Sequence, residues 1–253
     1  MKNRMLLVCV FCLLTVLLVV AGEKEKPYML YLSVGGGIAG QYHEQYSPLA
    51  LYGPSLRIEG GWAIRNDFFL WNGQLSYNTE TLSSSRGMGF EVESEMLGIQ
   101  TSVVALLPVM PFKTSFGLGV SIDCVGLFTE NFYKYEIDVY NALFAFLGPS
   151  LFAENKMLDR WTFRLQCSVP LAGIQWSPVW VNGSGGINKT TLIVIPDFLY
   201  VDGRLSALLR LSNRTELLCM YTCIIESHKK PFDSRLFNNF LSLGLEIDLG
   251  ATK

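Results

Sequence analysis

Acidic residues that alternate with apolar ones form the chemically most distinctive pattern in this sequence. Glu91, Glu93 and Glu95 fall at every second position, so on a β-strand they would project from one face. Like charges at that spacing repel each other unless cations neutralise them. Further charged residues occupy alternating positions in other strand-like stretches: Arg57, Glu59, Arg65, Asp123, Arg164, Asp202, Arg204, Arg210 and Glu246. We predict that all of these residues line one enclosed polar face, either as a salt-bridged plug or as a narrow polar pore.

Histidine, the commonest general base, occurs only as His43 and His228. Ser227 precedes His228, but neighbouring residues on a strand end point to opposite faces, which is a poor arrangement for activating a nucleophile. Two histidines in predicted loops, without cysteine partners there, also make a poor metal centre. We therefore predict that the protein is not an enzyme and that it holds no metal and no cofactor.

The stretch 52–77 shows which elements would position these charges. Leu56, Ile58, Trp62 and Ile64 fall on one side of an alternating pattern, and Arg57, Glu59 and Arg65 fall on the other. Asn66-Asp67 is a tight-turn signal, and after it Phe69, Trp71, Leu75 and Tyr77 alternate with polar residues. Each arm is long enough for a tilted transmembrane strand, which needs about 9–11 residues.

The same alternation recurs along the chain and predicts an all-β fold. About ten strands would form a closed up-and-down antiparallel transmembrane β-barrel, with the apolar face towards lipid and the charged face towards the lumen. Twelve strands would result if 170–197 holds a further membrane hairpin, and eight if 139–152 or 215–226 is not a strand. A soluble barrel that buries its apolar face is the alternative fold, because alternation does not say which face points inward.

Three details of this interpretation can be tested against a structure. The apolar positions change parity at Met96-Leu97, which predicts a β-bulge. The stretches 41–51, 79–88, 128–138, 170–197 and 226–236 are predicted to be long loops at one end of the barrel. Trp176 and Trp180 lie in the longest of them, where they would either bind a ligand or anchor the chain at the membrane surface.

The first 22 residues have the form of a secretory signal peptide. Lys2 and Arg4 precede an apolar run from Met5 to Val20, and small Ala21-Gly22 follow. We expect residues 1–22 to be a cleaved signal and residues 23–253 to be the barrel domain. The chain carries 20 Lys and Arg against 22 Asp and Glu, so it lacks the basic excess that nucleic-acid binding requires.

In this pattern of signal segment, paired alternating strands and aromatic flanks, the chain resembles the small outer-membrane barrels of Gram-negative bacteria, of the OmpA-barrel and OmpW kind. The resemblance implies a bacterial outer-membrane location, contact with outer-membrane lipids and a monomeric state. It also implies a narrow channel or a conduit for a small solute or hydrophobic ligand. The alternative is a structural barrel or a surface adhesin with a plugged lumen. Such barrels commonly end in an aromatic residue, whereas this chain ends Leu249-Gly250-Ala251-Thr252-Lys253.

Overall fold

The computed structural model describes residues 28–43, 47–84, 90–109, 113–133, 136–157, 160–181, 184–195, 197–229 and 234–250. The strands are β1 (Tyr28–His43), β2 (Ser47–Arg65), β3 (Phe69–Ser84), β4 (Phe90–Val109), β5 (Thr114–Tyr133), β6 (Glu136–Met157), β7 (Trp161–Ser168), β8 (Ala172–Val181), β9 (Ser184–Val194), β10 (Phe198–Arg210), β11 (Thr215–His228) and β12 (Ser234–Asp248). The predicted signal segment, residues 1–22, lies outside the described residues. The part of the chain that the structure describes contains no helix long and apolar enough to cross a membrane.

Ten of these strands form a closed antiparallel barrel. Each of β1 to β6 pairs with the next strand, β7 pairs with β10, β10 to β12 pair in order, and β12 pairs with β1. The predicted fold class and strand number are therefore confirmed. The predicted turn at Asn66-Asp67 is confirmed too, because the Asn66 side-chain oxygen accepts hydrogen bonds from the backbone N–H groups of Phe68 and Phe69, both at 2.8 Å.

The remaining two strands, β8 and β9, lengthen one hairpin of the wall. β7 pairs with the second half of β6, and β8 pairs with its first half, so β7 and β8 together make one long wall strand. The break falls at Pro170, which has no N–H to donate, and hydrogen bonds continue on either side of it, from Val169 to Pro149 and from Leu171 to Leu147. β9 and β10 make the next wall strand. The stretch 170–197, predicted to be irregular, is therefore mostly strand.

The two ends of the barrel differ. The connections after β2, β4, β6 and β10 lie at one end, together with the start of β1 and the end of β12; we call this the terminal end. We call the opposite end, which carries the β8–β9 hairpin, the hairpin end. Long loops were predicted there, but the strands continue through most of those stretches, because their residues keep alternating and keep pairing with their neighbours.

A belt of apolar side chains surrounds the outside of the barrel. On β5 the outward Phe116, Leu118, Val120 and Ile122 are each more than half exposed. On β4 the outward row runs from Leu97 to Leu107. At about 3.4 Å per residue and a tilt of about 40°, ten residues give a belt about 26 Å high, close to the roughly 25 Å of membrane barrels. The outside of this part of the wall is therefore suited to lipid.

The wall changes its polarity along β4 without changing its register. Within the belt, Ile99 and Val103 point outward and are half exposed, whereas Gln100 and Ser102 point inward and are buried. Above Leu97 the buried inward side chains are Val92, Ser94 and Met96. β4 keeps one continuous register with β3 and with β5, so the bulge predicted at Met96-Leu97 is absent. The apolar face moves inward because the wall leaves lipid and enters water, where apolar side chains are more stable inside.

Candidate functional site: a layered lumen

Nearest the terminal end, a chain of ion pairs crosses the lumen. The Arg65 guanidinium donates to Glu154 at 2.6 Å. The Arg164 guanidinium donates to the same Glu154 at 2.7 Å and to Glu246 at 2.6 Å. These four residues come from β2, β6, β7 and β12, so the ion pairs tie distant parts of the wall to each other. Both carboxylates are buried and satisfied, which is the condition under which buried charges are tolerated.

A second ionic layer lies deeper in the lumen and is centred on Glu59. The Glu59 carboxylate accepts hydrogen bonds from Arg57, from Arg204 at 3.3 Å and from the Tyr31 hydroxyl at 2.7 Å. Arg204 also donates to Asp202 at 2.6 Å. Every one of these charged side chains is at least 95% buried. Two arginines and two carboxylates therefore neutralise one another within this layer.

Amides and hydroxyls fill the lumen beside this second layer. Gln74 donates to Gln100 at 2.8 Å, and Gln100 donates to Ser168 at 2.8 Å. The Ser168 hydroxyl lies 3.5 Å from Asp123, and that of Ser121 lies 3.3 Å from it. The hydrogen-bonded groups thus extend from β3 across β4 to β5 and β7, which leaves little room for a solute at this level.

Above the ionic layers, on the side of the hairpin end, the lumen is filled by apolar side chains. The ring of Phe146 stacks on those of Phe198, Tyr200 and Phe144, with centroids 4.6, 5.2 and 5.6 Å apart. They belong to one buried cluster, which we call the aromatic plug: Met96, Val125, Leu127, Ala142, Phe144, Phe146, Ile193, Phe198, Tyr200, Ile224, Leu236 and Phe240. The members of the plug come from β4, β5, β6, β9, β10, β11 and β12, so side chains of the wall itself fill this part of the lumen.

Two neighbouring cavities lie towards the terminal end. A polar vestibule of about 450 Å³ lies among the turns, and a smaller cavity of about 80 Å³ lies further in and reaches Tyr31 and Arg204. Both cavities touch Arg65, Glu154, Arg164 and Glu246, so the first ion-pair layer separates them. The space that begins at the terminal end is therefore interrupted by the first ion-pair layer.

The structure places the predicted lumen residues in two groups. Most lie inside the barrel or at its mouth: Arg57, Glu59, Arg65, Asp123, Arg164, Asp202, Arg204, Arg210 and Glu246. Arg210 is half exposed in the vestibule, where its guanidinium lies 3.8 Å from Glu216. The prediction for Glu91, Glu93 and Glu95 is wrong: these residues point outward, above the apolar belt, and Val92, Ser94 and Met96 face the interior instead.

Sequence reasoning also missed several interior residues. Glu154 joins two arginines but was not assigned to the lumen from the sequence. The alternation of β1 places Tyr31 on the inward face, as the structure confirms, but its hydrogen bond to Glu59 could not be predicted. The predicted sixth strand, 139–152, ended before Glu154, and both of its sets of alternating positions are apolar, so its inward face was not recognised. One signal could have identified Glu154 as a candidate interior residue. In the stretch 151–156 it shares its alternating set with the buried Phe152.

The residues proposed for ligand binding lie on β8 rather than in a loop. Trp176 points outward from β8, is 39% exposed, and pairs in register with Leu143 and Thr190. This places it at the edge of the apolar belt, as expected of a membrane-surface anchor. The side chain of Trp180 lies outside the described residues.

The two histidines are strand-end residues, not loop residues. His43 on β1 and His228 on β11 both pair in register with Ser234 on β12, so the three lie in one row at the hairpin end. Their side chains lie outside the described residues, and the row is therefore known only at the level of the backbone. The cysteines that the structure describes, Cys124, Cys167, Cys219 and Cys223, are free.

The chain was compared with known proteins. No family model matches it, and no curated protein matches it. Among solved structures it is similar to the outer-membrane protease OmpT from Escherichia coli, with 9% identity over 88% of this chain and 96% of that chain and a TM-score of 0.57. It also matches the translocator domain of the autotransporter NalP from Neisseria meningitidis, with 7% identity over 89% of each chain and a TM-score of 0.48.

A further match is the Neisserial surface protein A, with 8% identity over 86% of this chain and 96% of that chain and a TM-score of 0.38. At these identities the similarity shows the fold alone. The chain has the fold of a bacterial outer-membrane β-barrel, and the resemblance predicted from its sequence is confirmed at that level. A fold of this kind does not by itself select an activity.

Proposed function

We propose that this protein is a sealed outer-membrane β-barrel that acts as a structural or adhesive component of the cell surface, and not as an open pore. The observation that carries the proposal is the aromatic plug, which lies directly above the ionic layer. A solute that moved along the lumen would have to separate buried ion pairs and then pass through stacked rings. Both barriers consist of side chains from the wall, so neither is removed by moving a loop.

The proposed orientation follows from the shape of the two ends. Outer-membrane barrels have short turns on the periplasmic side and longer elements outside. The terminal end holds the tight turns and the hairpin end holds the extended β8–β9 hairpin, so we assign the hairpin end to the cell exterior. In this orientation the sealed barrel exposes the β8–β9 hairpin and the outward acidic residues of β4 outside the membrane.

Conductance in planar lipid bilayers tests whether the lumen is sealed. The wild-type protein should add no ion current above that of a protein-free bilayer, over a wide voltage range. The outward variant Phe163→Ala serves as a control, because this ring faces lipid and is 39% exposed. Reproducible single-channel openings by the wild-type protein would contradict the proposal.

A narrow, gated channel is the second candidate, and the water-accessible vestibule favours it. The vestibule and inner cavity already provide half of a path, which stops at the ionic layers. Opening would require the Arg164 ion pairs to separate and the Glu59 layer and the aromatic plug to move aside as well. If this candidate is correct, Arg164→Ala should increase conductance relative to the wild type, whereas the sealed barrel predicts no current from either protein because the aromatic plug stays in place.

The adhesive form of the proposal depends on the β8–β9 hairpin. Replacing residues 177–188 by a two-residue turn would shorten the hairpin above Trp176 without touching the described pairing of β6 with β8. Cells that display this variant should adhere less to host-cell monolayers than cells that display equal amounts of the wild type. Equal adhesion by the two would leave the structural form of the proposal.

A further inference from the structure

One buried carboxylate inside the barrel takes no part in the two ionic layers. Asp123 projects from β5 into the lumen and is 2% exposed. The second layer is already balanced, because Arg57 and Arg204 pair with Glu59 and Asp202. Within the part of the chain that the structure describes, no Lys, Arg or His forms an ion pair with Asp123. A buried charge in this position is costly unless something neutralises it.

Three serine side chains lie around this carboxylate. The hydroxyl oxygens of Ser121 and Ser168 lie 3.3 and 3.5 Å from Asp123 Oδ2. Ser150 lies beside both, because it pairs in register with Ser168 on β7 and has Ser121 on β5 as its diagonal neighbour. All three serines are at most 1% exposed. We call these serines and Asp123 the serine–aspartate cluster.

Two oxygen atoms of the cluster, Asp123 Oδ1 and Ser150 Oγ, have no hydrogen-bond partner among the described residues. The other carboxylate oxygen is held loosely, since O–H···O⁻ bonds normally measure about 2.5–2.7 Å. The side chain of Gln100 also hydrogen-bonds to this carboxylate. A proton on Oδ1 would not satisfy that atom, because the new O–H group would need an acceptor in its turn. The cluster therefore contains more buried oxygen than its own hydrogen bonds satisfy.

A backbone carbonyl group adds another oxygen to the same place. Gly148 lies on β6 opposite Ser121, whose hydroxyl is 3.5 Å from the Gly148 carbonyl oxygen. A Cβ atom at Gly148 would lie 2.5 Å from the carbonyl oxygen of Val169. The Val169 oxygen thus covers the bare inner side of Gly148, at the break before Pro170 where the wall strand is interrupted. Carbonyl groups of interrupted elements are used as ligands for Na⁺.

The oxygen atoms of this cluster suit a hard cation. Such cations take oxygen ligands at about 2.3–2.6 Å, so two ligands at a right angle lie about 3.3–3.7 Å apart. The 3.3 and 3.5 Å separations from Asp123 fall in that range. One carboxylate among neutral oxygens balances a single positive charge. No three His, Cys, Asp or Glu side chains of the described ranges gather as a metal centre, so neutral oxygens must supply most of the ligands.

We infer that the serine–aspartate cluster binds one Na⁺ ion inside the barrel. The ion neutralises Asp123 and joins β5, β6 and β7 beside the Pro170 break. From the sequence we predicted no metal, on the ground that histidine and cysteine ligands were lacking, but Na⁺ requires neither. The inference goes beyond the proposed function and does not depend on whether the lumen conducts.

Urea unfolding of the folded protein in lipid vesicles tests the inference. Na⁺ is varied at pH 8, where a proton competes least, and choline replaces it so that the ionic strength stays fixed. Because only the folded barrel assembles the site, the unfolding equilibrium constant should fall about tenfold for each tenfold rise in Na⁺ above the dissociation constant. Asp123→Asn should abolish this dependence, since the amide carries no charge.

Ser150→Ala is the sharper variant, because it removes a hydroxyl that has no partner among the described residues. Without a bound ion, its loss should leave stability unchanged or raise it at every Na⁺ concentration. If Ser150 is a ligand, the Na⁺ concentration required should rise about tenfold or more. The control is Ser94→Ala, which removes another buried, unpartnered hydroxyl of the described chain, above the belt on β4, and should keep the wild-type dependence.

Each variant is first checked for the heat-modifiable gel shift of the folded barrel. The inference is overturned if the stability of the wild type does not depend on Na⁺, because water or a proton then occupies the cluster. It is equally overturned if Asp123→Asn and Ser150→Ala keep the wild-type dependence, which would place the bound Na⁺ elsewhere. None of these results bears on conductance, so failure here is distinct from failure of the proposed function.

Discussion

The Arg57 guanidinium lies beneath the ring of Phe240, with its central carbon 5.4 Å from the ring centroid. Below this contact Arg57 pairs with Glu59 and donates to Asn78 at 3.0 Å; above it begins the aromatic plug. The contact marks the height at which the interior changes from ionic to apolar. A cation against an aromatic face is a favourable junction between two such regions, because the ring attracts the charge while its edge packs with other rings.

Removing the carboxylate of Glu59 should destabilise the barrel strongly. Glu59→Gln leaves two arginines, Arg57 and Arg204, buried in the same layer with one carboxylate fewer. Loss of one partner from a buried ion pair costs about 3–5 kcal/mol. Denaturant unfolding in lipid vesicles measures the change. The control is Glu216→Gln, whose carboxylate lies 3.8 Å from the exposed Arg210 and should cost less than about 1 kcal/mol. A cost for Glu59→Gln as small as the control's would contradict the described layer.

The stability of the barrel should fall as the pH rises from about 4.5 to about 7. Glu80 lies inside the barrel above the belt, and burial raises its pKa to about 7, with the charge of Glu226 adding to the rise. In this interval the unfolded chain loses a proton that the folded barrel keeps, so folding becomes less favourable. A shift of this size corresponds to on the order of 3 kcal/mol, present below pH 4.5 and lost once the pH passes 7.

Glu80→Gln is the matched variant for that pH dependence. Glutamine can keep the hydrogen bond from Asn238, which measures 2.6 Å in the wild type, but it cannot ionise. Its free energy of unfolding should therefore lack the decrease between pH 4.5 and 7 that the wild type shows. A pH profile that is the same for both proteins would show that Glu80 is not the group responsible.

Single cysteines placed along β4 should report the change in wall polarity. In a background without the four free cysteines, Glu93→Cys should react with a membrane-impermeant maleimide added to intact cells, because position 93 faces outward above the belt. Ser94→Cys should not react, because Ser94 is 1% exposed. The opposite pattern would restore the inward acidic face that the sequence first suggested.

A charge introduced into the apolar belt should be costly, and the same charge above the belt should not. Leu118 is 62% exposed to the surroundings of the barrel. If those surroundings are lipid, Leu118→Arg should destabilise the barrel by about 2–4 kcal/mol. Glu91→Arg, on the neighbouring strand above the belt, should change stability by less than about 0.5 kcal/mol. Similar small effects at both positions in lipid vesicles would argue against the assigned belt.

The sequence predicted the barrel well where a strand lies between lipid and a polar lumen. On β2 the alternation of Ile58 with Arg57 and Glu59 identified both faces correctly, because only one arrangement suits lipid outside and charges inside. The same rule failed above the membrane. There the outside is water, so Glu91, Glu93 and Glu95 face outward. The apolar residues of this stretch, whose change of alternation predicted a bulge, face the interior instead.

The plug could not be predicted from the sequence for a related reason. On β6 both Leu143 and Phe144 are apolar, since at that height lipid lies outside and the plug lies inside. A strand with two apolar faces carries no alternation from which an inward face can be inferred. Likewise the contact of the Arg235 guanidinium with the Tyr42 ring depends on the register of β12 against β1, which brings together two distant parts of the chain.

The change along β4 from outward acidic residues to outward apolar residues also determines how deep the barrel lies in the membrane. Sinking by two residues would carry Glu95 into the hydrocarbon, and rising by the same amount would bring Leu107 and the other lowest outward side chains into water. Either displacement is opposed by the wall itself, without a partner or an anchoring loop. The order of outward residues along β4 thus sets the vertical position of the barrel in the membrane. It also sets the height of the β8–β9 hairpin above the membrane surface.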